Sequence, residues 1–373
     1  MENLVLYRKY RPKTFKEVVN QEHIVRTLTN ALSMNKVAHA YLFTGTRGTG
    51  KTTVARLLAK AVNCQNLKKA EPCNQCPACQ EINQNKSLDL IEIDAASNRG
   101  IDEIRELREG IKFSPANLKY KVFIIDEVHQ LTREAFNALL KTLEEPPAHA
   151  ILILATTEIH KVPQTIISRC QRFDFHKLTL DKIVQRLDWI AQQEKVAIEK
   201  PALELIGLNA DGSIRDGESL LGQVMAMFVK GESASGGEDK KITLEEIQTI
   251  LGVTDIKAVQ DLVEYLVAKK SGPAISQINQ IINQGYDLVQ FSKSLVSYLR
   301  KMLILKVDPE LTNLVAPELT KEQISVIIRQ GQSFNQPDLT KTIHLFIRAG
   351  YEIKSADFPQ LPLELAVVEC IGE

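Results

Sequence analysis

Along the first half of the chain, short blocks of consecutive apolar residues alternate with stretches in which apolar residues return every third or fourth position. The blocks Ala40 Tyr41 Leu42 Phe43, Val122 Phe123 Ile124 Ile125 and Ile151 Leu152 Ile153 Leu154 Ala155 show no polar alternation, which predicts strands buried on both faces of a parallel sheet. Leu88 to Asp94 half-alternates and predicts a further strand. Ile24, Val25, Leu28, Ala31 and Leu32 take helical spacing, as do the residues from Val54 to Lys60, then Ile101, Ile104, Leu107 and Ile111, then Phe136, Leu139, Leu140 and Leu143. The run Glu144 Glu145 Pro146 Pro147 stops the last of these helices. Strands that alternate with helices predict an α/β domain, here placed at 1–178. Beyond it the pattern is helical throughout. Ile183, Leu187 and Ile190, then Ala202, Leu205 and Ile206, predict a small helical domain at 179–243, ending in a loop that is flexible by composition, Gly231 to Asp239. A larger all-α domain follows at 244–373, in which Leu288, Phe291, Leu295, Leu299 and Met302 form one stripe, read as core or as subunit interface.

Length agrees with this division, because 373 residues exceed what one core usually supports. Charge narrows the function classes. With 46 basic and 46 acidic residues the chain does not coat nucleic acid or a membrane through bulk charge, so any such contact is local. No apolar run approaches a membrane span, and the N-terminus lacks the basic-then-apolar order of a signal peptide, so a cytoplasmic protein with no membrane partner is expected. Six cysteines in that compartment are not expected to be disulfides. Four of them, Cys64, Cys73, Cys76 and Cys79, contain two C-x-x-C steps that suit a tetrahedral zinc site. An iron–sulfur cluster uses similar steps but places its fourth ligand downstream, whereas Cys64 lies upstream. No histidine or acid accompanies the four, so the expected zinc is structural.

The strongest chemical signal is Gly45 Thr46 Arg47 Gly48 Thr49 Gly50 Lys51 Thr52, which runs on into Thr53. It stands between a predicted strand and a predicted helix, the setting a phosphate-binding loop requires. Its glycines let backbone N–H groups wrap a polyphosphate, Lys51 adds a point charge, and the Thr52 hydroxyl suits Mg²⁺. Asp126 and Glu127 end the second apolar block, where ligands bind in open α/β sheets, with Asp126 suited to the magnesium shell and Glu127 to polarising an attacking water. Thr156 and Thr157 end the third block, within reach of a terminal phosphate or simply bonded to backbone. Arg169 follows a short helix and either pairs with a local carboxylate or projects across a subunit boundary towards a phosphate. The basic, aromatic opening Tyr7 Arg8 Lys9 Tyr10 Arg11 Pro12 leads to Val18 and Val19; it is either a plain arm or a cover for an adenine ring, with Arg8 and Arg11 near the phosphates or a neighbouring subunit. Ser97 and Asn98 are turn or cap residues beside Arg99, before an ordinary capped helix or one that holds a nucleic-acid phosphate.

Taken together, the opening Tyr7 to Pro12, the loop Gly45 to Thr52, the four cysteines, Asp126 Glu127 Val128 His129, Leu143 Glu144 Glu145 Pro146 Pro147 and Ser168 Arg169 Cys170 resemble the gamma/tau subunits of the bacterial DNA polymerase III clamp loader. The resemblance implies an AAA+ parallel-sheet ATPase domain with an inserted zinc knuckle at 64–79, a helical lid, and an all-α collar through which subunits oligomerise. It implies ATP hydrolysis within a DNA-directed DNA polymerase assembly, with ATP, Mg²⁺ and Zn²⁺ as cofactors. Its partners would be delta-type and delta-prime-type subunits, further copies of the chain, a sliding clamp and primer-template DNA. By the same resemblance Lys51 and Thr52 bind phosphate and metal, Asp126 holds the metal, and Glu127 is the catalytic base. Thr157 is the first sensor, with adjacent Thr156 leaving the register open by one. Arg169 is the finger offered to a neighbour's ATP, and Arg215 is the second sensor on its own nucleotide. Gly217 departs from the family pattern, and because glycine costs a helix about 1 kcal/mol relative to alanine, the helix bearing Arg215 is expected to be less rigid. The chain ends at Glu373 without the extension of longer family forms, which reads as a short form or a truncated one. A translocating helicase would share the nucleotide motifs, but no strand-separating segment stands out; a non-catalytic scaffold would lack Lys51 or the acidic pair.

Overall fold

The computed structural model describes residues 5–98, 100–230, 241–244, 246–247, 256–283, 285–315 and 321–372; Arg99 and the Gly231–Asp239 loop lie outside them. By contacts the chain divides into a unit Met1–Thr243 and a unit Leu244–Glu373.

In the first unit the apolar blocks become β1 (Ala40–Thr44), β3 (Lys121–Asp126) and β4 (Ala150–Thr156), joined by β2 (Leu90–Asp94) and β5 (Gln171–Asp174). All pairings are parallel, in the order β2-β3-β4-β1-β5. The second strand starts two residues later than the alternation predicts. Leu88 is exposed and Asp89 is buried ahead of it, with the Asp89 carboxylate accepting the backbone N–H groups of Ala116, Asn117 and Leu118. Those bonds hold the Asp89 carboxyl below its usual range against the opposing effect of burial.

The three central strands explain why their blocks carry no polar alternation. Tyr41, Phe43, Val122, Ile124, Ile151 and Ile153 point to one face, under α2 (Glu22–Ser33) and α3 (Lys51–Val62). Their neighbours Leu42, Phe123, Ile125, Leu152 and Leu154 point to the other, under α5 (Ile101–Lys112) and α6 (Arg133–Glu144). Successive side chains alternate faces, so both faces need apolar residues. The short helices α1 (Leu6–Lys9), α4 (Pro77–Asn83) and α7 (Gln164–Ile167) complete this part.

The helices α8 (Leu180–Gln193), α9 (Lys200–Asn209) and α10 (Ile214–Lys230) follow in the same unit. Gly217 does not interrupt α10. A Cβ there would meet Ala210 and Ile183 at 3.4 Å, an ordinary contact.

The second unit comprises α11 (Ile256–Val267), α12 (Ser271–Asn283), α13 (Leu288–Val307), α14 (Thr312–Val315), α15 (Lys321–Ser333), α16 (Gln336–Glu352) and α17 (Leu361–Ile371). The Asp287 carboxylate caps α13 by accepting from Val289 and Gln290. The stripe Leu288, Phe291, Leu295, Leu299 and Met302 is buried within this unit against Leu262, Ile278, Phe346 and Leu363, so it is core. Among the described residues no helix is long and apolar enough to cross a membrane.

Candidate active site

The loop between β1 and α3 turns on glycines. Gly45, Gly48 and Gly50 have φ of 146°, 76° and 101°, a region L side chains rarely adopt. Space is restricted as well: a Cβ on Gly45 would lie 2.4 Å from the Phe175 carbonyl oxygen, and one on Gly48 would lie 1.8 Å from Ser213 Oγ, just ahead of α10. Thr49 Oγ1 donates to the Thr46 carbonyl (2.9 Å), which tightens the turn, while Thr46 and Arg47 face solvent. Lys51 opens α3 and is buried; its Nζ donates to the carbonyls of Gly45 (2.7 Å) and Thr46 (2.9 Å). Burial pulls its pKa down against the pull of Glu127 and Asp126. A buried ammonium at a helix N-terminus, beneath a loop of backbone N–H groups, is a site for a polyanion. Thr53 sits half-buried in the same first turn.

Beside this loop Thr52 Oγ1 donates to Asp126 Oδ2 at 2.7 Å, which brings the two predicted magnesium ligands together. Glu127 takes a left-handed backbone, φ 49° and ψ 44°, rare for a residue with a side chain and typical of functional sites. Its Oε2 accepts from Thr157 Oγ1 (2.9 Å) and Thr157 N (3.2 Å). Thr156 is fully buried instead and meets His129 Nδ1 at 2.9 Å. The two threonines therefore divide their contacts, with Thr157 on Glu127 and Thr156 on His129. His129 also lies 3.4 Å from Glu127 Oε2 and 3.2 Å from Glu158 Oε1. In the sequence this histidine belongs to no catalytic pattern of its own; its place three residues after Asp126, at a strand end, is the available signal.

Arg215, the second residue of α10, lies by the loop, with its Cβ 3.4 Å from a Cβ built on Gly48 and its guanidinium 4.8 Å from the Tyr7 ring centre. The Tyr7 phenol is held below its usual range, chiefly by hydrogen bonding to Arg215. Arg169 stands elsewhere. It precedes β5, whose first residue Gln171 registers with Tyr41, whereas the loop begins after Thr44 at the other end of β1. Roughly 15 Å of strand separates the two edges. At its own edge Arg169 Nη2 bonds Glu144 Oε1 at 2.6 Å and Nη1 bonds the Thr165 carbonyl at 2.8 Å.

Val18 and Val19 line a cavity of about 790 Å³ with Tyr10, Arg11, Arg186 and Trp189, and no residue from 45 to 53 lines it. Arg11 also borders a second cavity, of about 430 Å³, beside Arg8, Arg56 and Lys60. Burial, and then the neighbouring cation Arg56, lower the Arg11 pKa. Ser97 and Asn98 are engaged as turn residues, with Ser97 Oγ on Asp94 Oδ2 (3.1 Å) and Asn98 Nδ2 on the Asp94 carbonyl (3.0 Å), and Gly100 is the N-cap of α5.

The four cysteines converge, with all four sulfurs within 4.8 Å of one another. Thiolates at about 2.3 Å from a zinc ion would stand about 3.8 Å apart, and Cys73 Sγ to Cys79 Sγ is 4.0 Å. The amide of Cys73 donates to Cys64 Sγ and that of Cys76 to Cys73 Sγ, both at 3.3 Å. Backbone amides of Gln75 and Cys76 bring the Cys73 thiol down to about 6, while burial pushes Cys64 and Cys79 up. A sulfur-only donor set of this size fits zinc.

Comparison with known proteins covers nearly the whole chain. Residues 20–179 match the family model described as DNA polymerase III, delta subunit; residues 182–229 match DNA polymerase III clamp loader subunit, ATPase lid domain; residues 242–372 match DNA polymerase III subunits gamma and tau domain III. The chain is 43% identical over 370 residues to DNA polymerase III subunit tau of Bacillus subtilis, covering 99% of this chain and 63% of that protein. It is 41% identical over 309 residues to the tau subunit of Escherichia coli, covering 83% of this chain and 46% of that protein. It is 35% identical to DNA polymerase III subunit gamma of Buchnera aphidicola from Acyrthosiphon pisum, covering 100% of this chain and 99% of that protein. The chain thus spans about half to two thirds of these tau relatives and nearly all of the gamma relative.

Proposed function

The chain belongs to the DNA polymerase III gamma and tau subunit family, and on that footing we propose that it is an ATP-hydrolysing clamp-loader subunit that opens and loads a sliding clamp onto primed DNA. Lys51 and the loop amides from Gly45 to Thr53 hold the triphosphate. Thr52 and Asp126 would hold Mg²⁺, which would supply positive charge beside the transferring phosphoryl group. Glu127 takes the proton of the attacking water. Thr157, bonded to Glu127, senses the terminal phosphate, Arg215 reaches the nucleotide from the lid, and Val18 and Val19 lie towards the adenine. The four cysteines hold a structural zinc. Partners are delta-type and delta-prime-type subunits and further copies of the chain, which assemble through the helical C-terminal unit; the sliding clamp and primer-template DNA are what the assembly acts on, in the cytoplasm.

One observation carries the shared-site part of this reading: Arg169 rests on Glu144 at the sheet edge opposite the phosphate loop. An arginine so placed cannot serve its own loop, but it can face the loop of an adjacent subunit. ATP binding then favours assembly, DNA brings Arg169 against the neighbour's ATP, and hydrolysis weakens the grip on the clamp. The difference in affinity between ATP and ADP states supplies the work. In the assembled complex, Arg169→Ala is expected to keep ATP binding and lose most DNA-stimulated hydrolysis. Stimulation that survives the change would remove the trans role.

A further inference from the structure

The N-terminal strap is fastened at two places that are far apart in sequence. Its first part lies on the lid helices. Leu6 packs at Gly222 of α10, Tyr7 lies under Arg215, and Lys9 Nζ and Tyr10 Oη both bond Glu194 Oε1, at 2.6 and 2.7 Å. Arg186 of α8 donates to the Tyr10 carbonyl, and the Tyr10 ring meets Trp189 edge-on at 5.5 Å.

Its second part lies on the cysteine module. The Glu71 carboxylate accepts the amides of Phe15 (2.7 Å) and Lys16 (3.1 Å). Lys60 is buried, and its ammonium is satisfied by neutral oxygens only: the Lys13 carbonyl (2.8 Å), Asn74 Oδ1 (2.6 Å) and Asn83 Oδ1 (2.9 Å). Asn74 Nδ2 also donates to the Lys13 carbonyl. Glu17, Cys79 and Cys64 lie close enough to favour the charge, but the atoms that bond it are neutral, and a buried ammonium needs such acceptors held in place. Glu71 and Asn74 both belong to turns with left-handed backbone between the four cysteines, whereas Asn83 ends α4. Glu71 closes a turn with Lys68, each donating its amide to the other's carbonyl, and the central Lys69 and Ala70 have φ of 51° and 61°. Two adjacent positive φ values mark a type I′ turn, normally built from Asn and Gly, and Ala70 is buried in it. Asn74, between Cys73 and Cys76, has φ 59°.

Arg11 runs between the two fastenings, and burial first, then the cations Arg56, Arg215 and Arg8, lower its pKa. We propose that the cysteine module is the strap's anchor, with Glu71, Asn74 and Lys60 as positioning residues for residues 13–16, and that metal closure of the four thiolates sets this grip and, through the strap, the seating of the lid beside the phosphate loop. The metal-dependent part rests on the zinc reading above.

Hydrogen exchange of the full-length protein, with metal content measured on the same sample, tests this. In Glu71→Ala the amides of Phe15 and Lys16 are expected to exchange about tenfold faster, the loss of one net hydrogen bond, while β1 and α3 stay protected and metal content is unchanged. Glu71→Gln, which keeps an acceptor, is expected to restore part of the protection. Stripping metal from the unmodified protein is expected to expose the same amides and to weaken ATP affinity several-fold. Unchanged protection of Phe15 and Lys16 in Glu71→Ala overturns the anchor. Unchanged protection after metal removal overturns its metal dependence. Protein that purifies without metal yet loses protection in Glu71→Ala contradicts the zinc reading and supports the anchor.

Discussion

At the C-terminal edge of the sheet, short hydrogen bonds join Thr52 at the start of α3 to Asp126 at the end of β3, and Glu127 beyond it to Thr157 after β4; at the N-terminal edge, Arg169 rests on Glu144 among exposed side chains. The first edge gathers Lys51, Thr52, Asp126, Glu127 and Thr157, the residues proposed to hold triphosphate and metal and to act as base. The second holds Arg169, the cation proposed to meet a neighbour's phosphate. A parallel sheet makes this separation unavoidable, because every strand exposes its C-terminus on one side and its N-terminus on the other. A residue that precedes a strand therefore stands about a strand's length from one that follows a strand of the same sheet. On the proposed reading, one chain carries parts of two different sites.

The sharpest way to break this contrast is Arg169→Ala, expected to lower DNA-stimulated hydrolysis by about a thousandfold in the complex while leaving nucleotide binding by the same chain intact. Equilibrium binding of a fluorescent ATP analogue beside steady-state turnover checks it. At the opposite edge, Glu127→Gln is expected to lower hydrolysis by about a hundredfold or more with ATP still bound, which single-turnover measurements separate from binding. Gly48→Ala strains a positive φ and drives a methyl into Ser213, so ATP affinity should fall about tenfold, since strain of this kind is worth about 1–3 kcal/mol; titration calorimetry reads it. The smallest effect is expected of Glu144→Gln. Surface ion pairs are worth about 0.2–1 kcal/mol, so stability should change little in thermal unfolding, and hydrolysis should stay within about threefold because the released Arg169 is then free for the neighbour.

Which of these features could be read before folding depended on how local their cause is. The apolar blocks of β1, β3 and β4 announced buried strands because both faces of each are covered. The phosphate loop, the acidic pair and the cysteine steps are each contained in a few adjacent residues. β5 escaped notice because, at the sheet edge, only Phe173 of Gln171–Asp174 is buried. The side-chain partner of Thr157 was undecided against Thr156 until strand pleat sent one to Glu127 and the other to His129. Lys60 looks like one more solvated lysine on an amphipathic helix, and Glu71 like a charged loop residue; their partners lie 47 and 56 positions away. That the opening arm lies along α8 and α10 is likewise a tertiary fact without local pattern. The edge on which Arg169 lies follows from strand order and direction, which no single segment encodes.

The central claim, a site shared between chains, is tested most directly by mixing two inactive variants. Lys51→Ala keeps Arg169 but loses its own loop; Arg169→Ala keeps its loop but loses the finger. Each alone is expected to be nearly silent in clamp- and DNA-stimulated hydrolysis. Co-assembled with the partner subunits, they should regain a measurable fraction of wild-type turnover, because an intact loop on one chain then faces an intact Arg169 on the next. Turnover that stays at the level of the separate variants, although co-purification shows both chains in one complex, would contradict the account.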